Sequence, residues 1–105
     1  MFAFDQWAEW LKSETGDLER DGFAARFRDT RSVPECASNP GFGVDVETPK
    51  RLGNITFWRN GLCDFQVLDT STKELVADEH MLDANDETVS DLFSRFVSFL
   101  GRQPS

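Results

Sequence analysis

The chain has 105 residues, which is enough for one domain with one hydrophobic core. Its formal net charge at pH 7 is −8, and nucleic acids and anionic membranes are poor partners for it, because both bind clustered Lys and Arg. No segment approaches the ~20 apolar residues of a membrane span, and the N-terminus lacks the basic start and long apolar run of a signal peptide. We therefore expect a soluble protein that stays in the cytoplasm.

The acidic surplus is concentrated in one third of the chain. Between Asn60 and Ser94 the sequence contains nine acidic residues and a single basic residue, Lys73. One interpretation is a solvated surface that keeps the protein in solution. The other is an electrostatic field that attracts a basic partner and accelerates its association.

The two cysteines, Cys36 and Cys63, do not have the spacing of a zinc site, and no histidine lies near them in the sequence. We expect two reduced thiols, which is the usual state in the cytosol, although the sequence also permits a disulfide. The sequence predicts no metal and no cofactor.

Apolar residues at three- and four-residue spacing predict a helix at each end of the chain. The first helix is predicted over 1–15, with Thr15-Gly16 as its end. Its apolar positions are Phe4, Trp7, Ala8, Trp10 and Leu11. The second helix is predicted over 85–101, and Gly101 closes it. Its apolar positions are Val89, Leu92, Phe93, Phe96, Val97, Phe99 and Leu100.

Alternation of apolar and polar residues predicts an antiparallel sheet of about five strands over 22–82. The inward positions of its first two strands are Phe23, Ala25, Phe27, Phe42, Val44 and Val46. Pro49 ends the second strand, because proline cannot donate to a sheet ladder. The last strand, 74–82, has apolar residues on both alternating sets, so its facing stays open.

These elements define a predicted fold class. Consecutive strands joined by short connections favour a β-meander, and each helix must bury its apolar side against another element. The sequence therefore predicts a single α+β domain over 1–105, with the two terminal helices packed on one face of the sheet.

The clearest element is a β-hairpin whose strands flank Arg59-Asn60-Gly61. A two-residue Asn-Gly turn would mix apolar and charged residues on both faces. A three-residue loop, with Gly61 in the left-handed conformation, instead pairs Phe57 with Cys63. The continuous apolar face of this register consists of Ile55, Phe57, Cys63, Phe65 and Val67. A slip of one residue would turn all of these side chains outward, so the three-residue loop is predicted.

The opposite face of this hairpin carries Trp58 and Leu62 as a cross-strand pair beside the carboxylate of Asp64. Thr56 and Gln66 share this face. One interpretation is that a helix or loop covers the pair as a second core. The other is an exposed aromatic anchor with an acidic rim, which is the composition of a protein–protein hot spot.

The sequence offers little support for catalysis. His80 is the only histidine, and no nucleophile, phosphate-binding or metal-ligand motif is present. Asp45 and Glu47 share the outward side of a strand and could form a carboxylate pair, but outward charges on a solvated sheet are the simpler interpretation. Cys63 points into the core in the chosen register, which disfavours it as a nucleophile. We therefore expect that the protein is not an enzyme.

A pattern between Asn39 and Leu82 combines several of these features. It consists of Asn39-Pro40, Val44-Asp45-Val46, the strand 52–58 with Trp58, the strand 61–69 with Gly61, Asp64 and Asp69, and finally Glu79-His80. Together with the C-terminal amphipathic helix, this pattern resembles the TriTu family of immunity proteins from bacterial polymorphic toxin systems. The sequence departs from the family pattern at Asn54 and Arg59, where Arg and Glu are common.

The resemblance implies an immunity protein, or antitoxin, that binds and occludes a cognate toxin. In the case that gives the family its name, the toxin is an ADP-ribosyltransferase that modifies elongation factor Tu. Such an enzyme binds anionic NAD in a cleft that is expected to be basic, so the expected partner is a toxin domain with a basic surface, held by a monomer in a 1:1 complex. The expected partner-binding residues are Asp45, Glu47, Trp58, Arg59, Leu62, Asp64, Gln66, Asp69, Glu79 and His80.

Two other functions remain open at this point. A small acidic secretion chaperone or adaptor would bind an exported effector through apolar grooves and would normally form a homodimer. A small enzyme would use His80 together with a carboxylate.

Overall fold

A computed structural model describes residues 2–101, apart from the side chain of Cys36. The elements in chain order are α1 (Phe4–Arg20), β1 (Ala24–Asp29), a short 3₁₀ turn (Pro34–Cys36), β2 (Gly41–Glu47), β3 (Arg51–Trp58), β4 (Leu62–Asp69), β5 (Glu74–Asp83) and α2 (Val89–Phe99). The predicted α+β class and the predicted order of two terminal helices around five strands are confirmed.

The five strands form one sheet in the order β1-β2-β3-β4-β5, and each strand is antiparallel to its neighbours. This is the predicted meander. Because strands that follow one another in sequence also pair in space, residues that face the same way on each strand line up in rows across the sheet.

The β3–β4 hairpin has the predicted three-residue loop. Gly61 has a φ of 88°, which is the left-handed conformation. Phe57 pairs with Cys63, and Ile55 pairs with Phe65. All the side chains of the predicted apolar face are fully buried: Ile55, Phe57, Cys63, Phe65 and Val67. The register argument is therefore confirmed.

Both helices pack on this apolar face of the sheet. The ring of Phe4 in α1 lies 5.1 Å from that of Phe42 in β2, and the ring of Phe96 in α2 lies 6.0 Å from that of Phe65 in β4, measured between centroids. Burying each such side chain contributes roughly 1.5–3 kcal/mol to the free energy of unfolding. Helix α2 comes so close to Gly53 of β3 that a Cβ added there would stand 2.9 Å from the Phe96 ring.

The first helix is longer than the sequence predicted. It continues through Thr15-Gly16, and its end lies at Arg20. The reason is that the buried stripe extends by two more turns: Leu18 is fully buried, and the Thr15 hydroxyl donates to the Leu11 carbonyl at 2.8 Å. The glycine that follows the helix in the left-handed conformation is Gly22, with a φ of 97°.

The second helix begins later than predicted, at Val89. Residues 85–88 form a turn before it, in which the Asn85 side-chain oxygen accepts from the Glu87 N–H at 2.8 Å and the Thr88 hydroxyl accepts from the Asn85 N–H at 2.9 Å. Side chains of this type satisfy the backbone locally in a turn conformation and so compete with the helix.

The structure also settles which way β5 faces. Ala77 pairs with the inward residue Val67, and Leu82 pairs with the inward residue Cys63. In a regular strand, residues an odd number of positions apart face opposite sides of the sheet. Ala77 and Leu82 are separated in this way, yet both face inward, because the pairing with β4 shifts between Cys63 and Phe65. A second shift lies between Val67 and Leu68. These irregularities explain why simple alternation could not assign the strand.

Candidate functional site

The side of the sheet away from α1 and α2 is the candidate site, and we call it the outer face. In residues 2–101 both helices make their sheet contacts on the opposite side. Strand alternation and the observed register place seven of the ten predicted partner-binding residues on the outer face. These are Asp45, Glu47, Trp58, Leu62, Asp64, Gln66 and His80.

The carboxylate of Asp64 connects three neighbours on the outer face. Its Oδ2 accepts a hydrogen bond from the indole nitrogen of Trp58 at 3.1 Å, and its Oδ1 accepts one from the backbone N–H of Met81 at 2.7 Å. The Nδ1 atom of His80 lies 3.8 Å from the same Oδ1. Asp64 therefore fixes the orientation of the indole and holds part of β5 against β4.

A second carboxylate, Asp78, lies beside this group. Its Oδ1 is 2.6 Å from Nε2 of His80 and accepts from the side-chain amide of Gln66 at 3.0 Å. The pKa of Asp78 is lowered, chiefly by the hydrogen bond from Gln66 and also by His80. Asp78 is therefore charged at neutral pH, and the outer face of β4 and β5 presents a negative surface.

The indole of Trp58 is half-buried, and it packs against the backbone of β2. A Cβ added at Gly41 would stand 2.8 Å from Cε3 of the Trp58 ring, so the glycine permits this close approach. Trp58 and Leu62 keep part of their surface in solvent, and they are not among the described residues that form the core under α1 and α2 or pack against it. Burial of the pair beneath a helix is therefore not observed.

At the β1–β2 side of the outer face, Asp45 is paired with a cation. The Nε atom of Arg28 lies 3.0 Å from Oδ2 of Asp45, without the geometry of a hydrogen bond. The same guanidinium donates to the Thr56 hydroxyl at 3.0 Å and the Ile55 carbonyl at 3.2 Å. Asp45 thus contributes little free charge, whereas its neighbour Glu47 is exposed.

Three predicted partner-binding residues lie elsewhere and have contacts within the fold. Arg59 stands 5.1 Å above the centroid of the Phe4 ring, measured from its guanidinium carbon. Glu79 forms an ion pair with Arg95 of α2. Asp69 accepts from the backbone and hydroxyl of Ser71 at 2.9 and 2.7 Å and so orders the β4–β5 turn. The structure does not bring these three side chains together with the outer-face group.

The outer face also contains apolar residues that the sequence did not single out. Met81 is 72% exposed, Leu75 is 49% exposed and Leu52 is 45% exposed. Leu52 and Leu75 both pair with Leu68, so the three leucines form one row across β3, β4 and β5. The predicted register of β3 and β4 already placed Leu52 beside Leu68. The outward position of Met81 depends on the pairing shift in β5, which the alternation of apolar and polar residues did not reveal.

The described residues do not carry an evident catalytic or metal centre. Residues 2–101 contain no group of three or more His, Cys, Asp and Glu side chains arranged to hold a metal ion. Burial raises the pKa of the Cys63 thiol to about 12, so a thiolate is not available there at neutral pH. No helix in the same range is long and apolar enough to cross a membrane.

One face of the sheet is packed under helices, and the other presents an aromatic group among carboxylates, a composition that is typical of protein-binding surfaces. The family model described as "Immunity protein TriTu" matches residues 5–99, and the chain belongs to this family of immunity proteins. No curated protein and no solved structure matches the chain. Membership confirms the resemblance in the sequence and establishes an antitoxin that binds a cognate toxin, a class that is generally not enzymatic.

Proposed function

We propose that the chain neutralises its cognate toxin by covering a basic surface of that toxin with the outer face. The observation that carries this proposal is the joint position of Trp58 and Asp64 on the side of the sheet that neither helix covers. A large aromatic ring held by a hydrogen bond loses little side-chain entropy on binding, which is typical of an interface anchor. Carboxylates around it favour a basic partner and fast association.

The proposed toxin is an ADP-ribosyltransferase. This part of the proposal rests on the family resemblance of the sequence and on the negative net charge of the chain. An enzyme that binds the pyrophosphate of NAD needs positive charge in its cleft. Nine acidic residues between Asn60 and Ser94 give this antitoxin a field of the opposite sign.

The proposed mechanism is occlusion, with one antitoxin monomer bound to one toxin domain. Reversal of the modification would require a hydrolase site. His80 lies between Asp64 and Asp78, and both carboxylates accept hydrogen bonds that link β4 and β5, from the Met81 N–H and from the Gln66 amide. A steric block needs only affinity and a slow dissociation rate, and most affinity differences between related complexes lie in that rate.

The test uses the purified chain and the toxin domain encoded beside it. We expect light scattering to give a monomer for the chain alone and a 1:1 mass for the mixture. ADP-ribosyl transfer should fall in proportion to the added antitoxin and end at equivalence. When the antitoxin is added after the reaction, the modified target should remain modified.

Other results would contradict this account in distinct ways. Loss of the ADP-ribose from a target that is already modified would show reversal. A stable homodimer that binds the exported effector without inhibiting it would favour a secretion chaperone.

A further inference from the structure

Met81 has two properties that do not help the chain to fold. Its side chain is 72% exposed, the largest exposed fraction among the large hydrophobic residues described. Its φ is 56°, in the left-handed region that residues other than glycine rarely adopt, because the Cβ comes close to the following carbonyl oxygen. An exposed side chain gains no free energy from burial, and this backbone conformation costs free energy. Such strain persists only where the surroundings impose it, and it is common at binding sites.

Contacts from β4 hold Met81 in this conformation. The shift in pairing between Cys63 and Phe65 places an extra residue in β5 opposite Asp64. The Oδ1 atom of Asp64 accepts from the Met81 N–H at 2.7 Å, which replaces the backbone partner that a regular ladder would supply. The other oxygen of the same carboxylate accepts from the Trp58 indole at 3.1 Å. One carboxylate therefore orients two large apolar side chains on the outer face.

Several carboxylates lie near Met81 on the outer face. Asp64 accepts from its backbone N–H, and Asp78 and Asp83, both exposed, lie three positions before it and two positions after it in β5. His80, the residue before Met81, is 2.6 Å from Asp78 and 3.8 Å from Asp64. A second copy of this chain would bring the same carboxylates against each other, which opposes self-association through this surface.

We propose that Met81 is an anchor residue that inserts into a shallow apolar pocket of the cognate toxin, with Lys or Arg side chains around the pocket. This inference rests on the proposed function, because it names a contact within the same outer face. An unbranched thioether side chain adapts to irregular apolar pockets and is favoured at protein-binding surfaces. Basic residues around the pocket would meet Asp64, Asp78 and Asp83. In this account Asp64 is a positioning residue for Met81 and Trp58.

Two substitutions separate binding from folding. Met81→Gly removes the side chain and relieves the backbone strain, so the thermal midpoint should stay the same or rise. Met81→Asn tolerates the left-handed conformation and replaces the apolar group with a polar one. We expect both variants to bind the toxin domain about tenfold or more weakly, as measured by calorimetry or surface plasmon resonance.

Lys73→Gly is the matched control. Lys73 has a φ of 61° and is exposed in the β4–β5 turn, at the other end of the strands from Trp58. The substitution relieves strain of the same kind and should leave the affinity within about twofold of wild type. Wild-type affinity in both Met81 variants would overturn this inference and leave the proposed function intact. Absence of toxin binding by the wild-type chain would overturn both. A wild-type homodimer that Met81→Asn dissociates would assign the surface to a second copy and also overturn it.

Discussion

The indole nitrogen of Trp58 lies 3.1 Å from a carboxylate oxygen of Asp64, on the neighbouring strand and on the side of the sheet that α1 and α2 leave uncovered. Trp58 supplies an apolar surface, and Asp64 supplies a negative charge and holds the indole ring in one orientation. A hydrogen bond to a charged group contributes roughly 1.5–3 kcal/mol to folding. It also favours binding, because a ring that is already oriented loses less entropy when a partner covers it, by roughly 0.5–1.5 kcal/mol.

Removing the Trp58 indole should impair binding more than folding. We expect Trp58→Ala to weaken toxin binding by about 2 kcal/mol or more, as for other hot-spot residues. Titration calorimetry with the toxin domain measures the affinity, and urea denaturation measures the free energy of unfolding. If the variant is unfolded in the absence of denaturant, Trp58 belongs to the core and the proposed interface is wrong.

Trp7→Ala provides a matched control for the Trp58 substitution. The Trp7 indole also donates to a carboxylate, Asp86, at 2.8 Å, but it lies in α1 on the side of the helices. We expect Trp7→Ala to lower the free energy of unfolding and to leave the toxin affinity of the folded protein unchanged.

The acidic outer face should act mainly on the association rate. We expect Asp78→Asn to slow association with the toxin several-fold at low salt and to change dissociation much less, because exposed charges steer encounter. Stopped-flow mixing at increasing ionic strength should show the wild-type rate falling toward that of the variant. Glu19→Gln, which removes an exposed charge from α1, is the control and should leave the rate unchanged. Equal effects of both substitutions would mean that net charge alone matters.

Substitutions on the two faces of the β3–β4 hairpin should change the free energy of unfolding by very different amounts. Phe57 is fully buried, whereas Leu52 on the same strand is 45% exposed. Phe57→Ala should lower the free energy of unfolding by about 3–5 kcal/mol, since it leaves a cavity under the helices. Leu52→Ala should change it by less than about 1 kcal/mol. Urea denaturation of both variants gives the comparison, and similar losses would contradict the observed register.

Stability should fall at acidic pH, in part through Asp86. The backbone N–H of Ala3 and the indole of Trp7 donate to this carboxylate at 2.7 and 2.8 Å, and they lower its pKa below the ordinary value of 3.8, the Ala3 contact most strongly. A carboxyl whose pKa is lowered on folding stabilises the protein above its unfolded pKa, and the contribution is lost as pH falls through the folded pKa.

Urea midpoints between pH 7 and pH 3 test this dependence. The wild-type midpoint should be level down to about pH 5 and decline below about pH 4. Asp86→Asn should have a lower midpoint at neutral pH and a shallower decline. An identical pH profile for the two proteins would show that the Asp86 contacts do not stabilise the fold.

The sequence was sufficient for the parts of the fold that repeat regularly. The register of the hairpin followed from one requirement, that Ile55, Phe57 and Phe65 share a face. The same reasoning failed in β5, where an extra residue interrupts the alternation between Ala77 and Leu82. It also ended α1 too early, because a glycine at position 16 suggested a stop although Leu18 continues the buried stripe.

The candidate site was predictable in part for the same reason. Trp58 and Asp64 follow from the hairpin register, since their side of the strands was known once the apolar side was chosen. Asp69 and Glu79 belong to the family-like pattern, yet their contacts order a turn and attach a helix. A sequence motif does not show which atoms a side chain contacts. Sequence alone therefore cannot distinguish a residue that stabilises the fold from one that binds the partner. The exposure of Met81 could not be predicted, because it depends on the irregular pairing of β5 with β4.

The most direct test of the central claim follows the indole N–H signals of Trp7, Trp10 and Trp58 by NMR while unlabelled toxin domain is added. Trp58 lies on the outer face, whereas Trp7 and Trp10 lie in α1 and pack on the other side. Our account predicts that the Trp58 signal shifts or broadens at equivalence and that the other two keep their positions. Movement of the Trp7 and Trp10 signals with an unchanged Trp58 signal would place the toxin on the helices and contradict it.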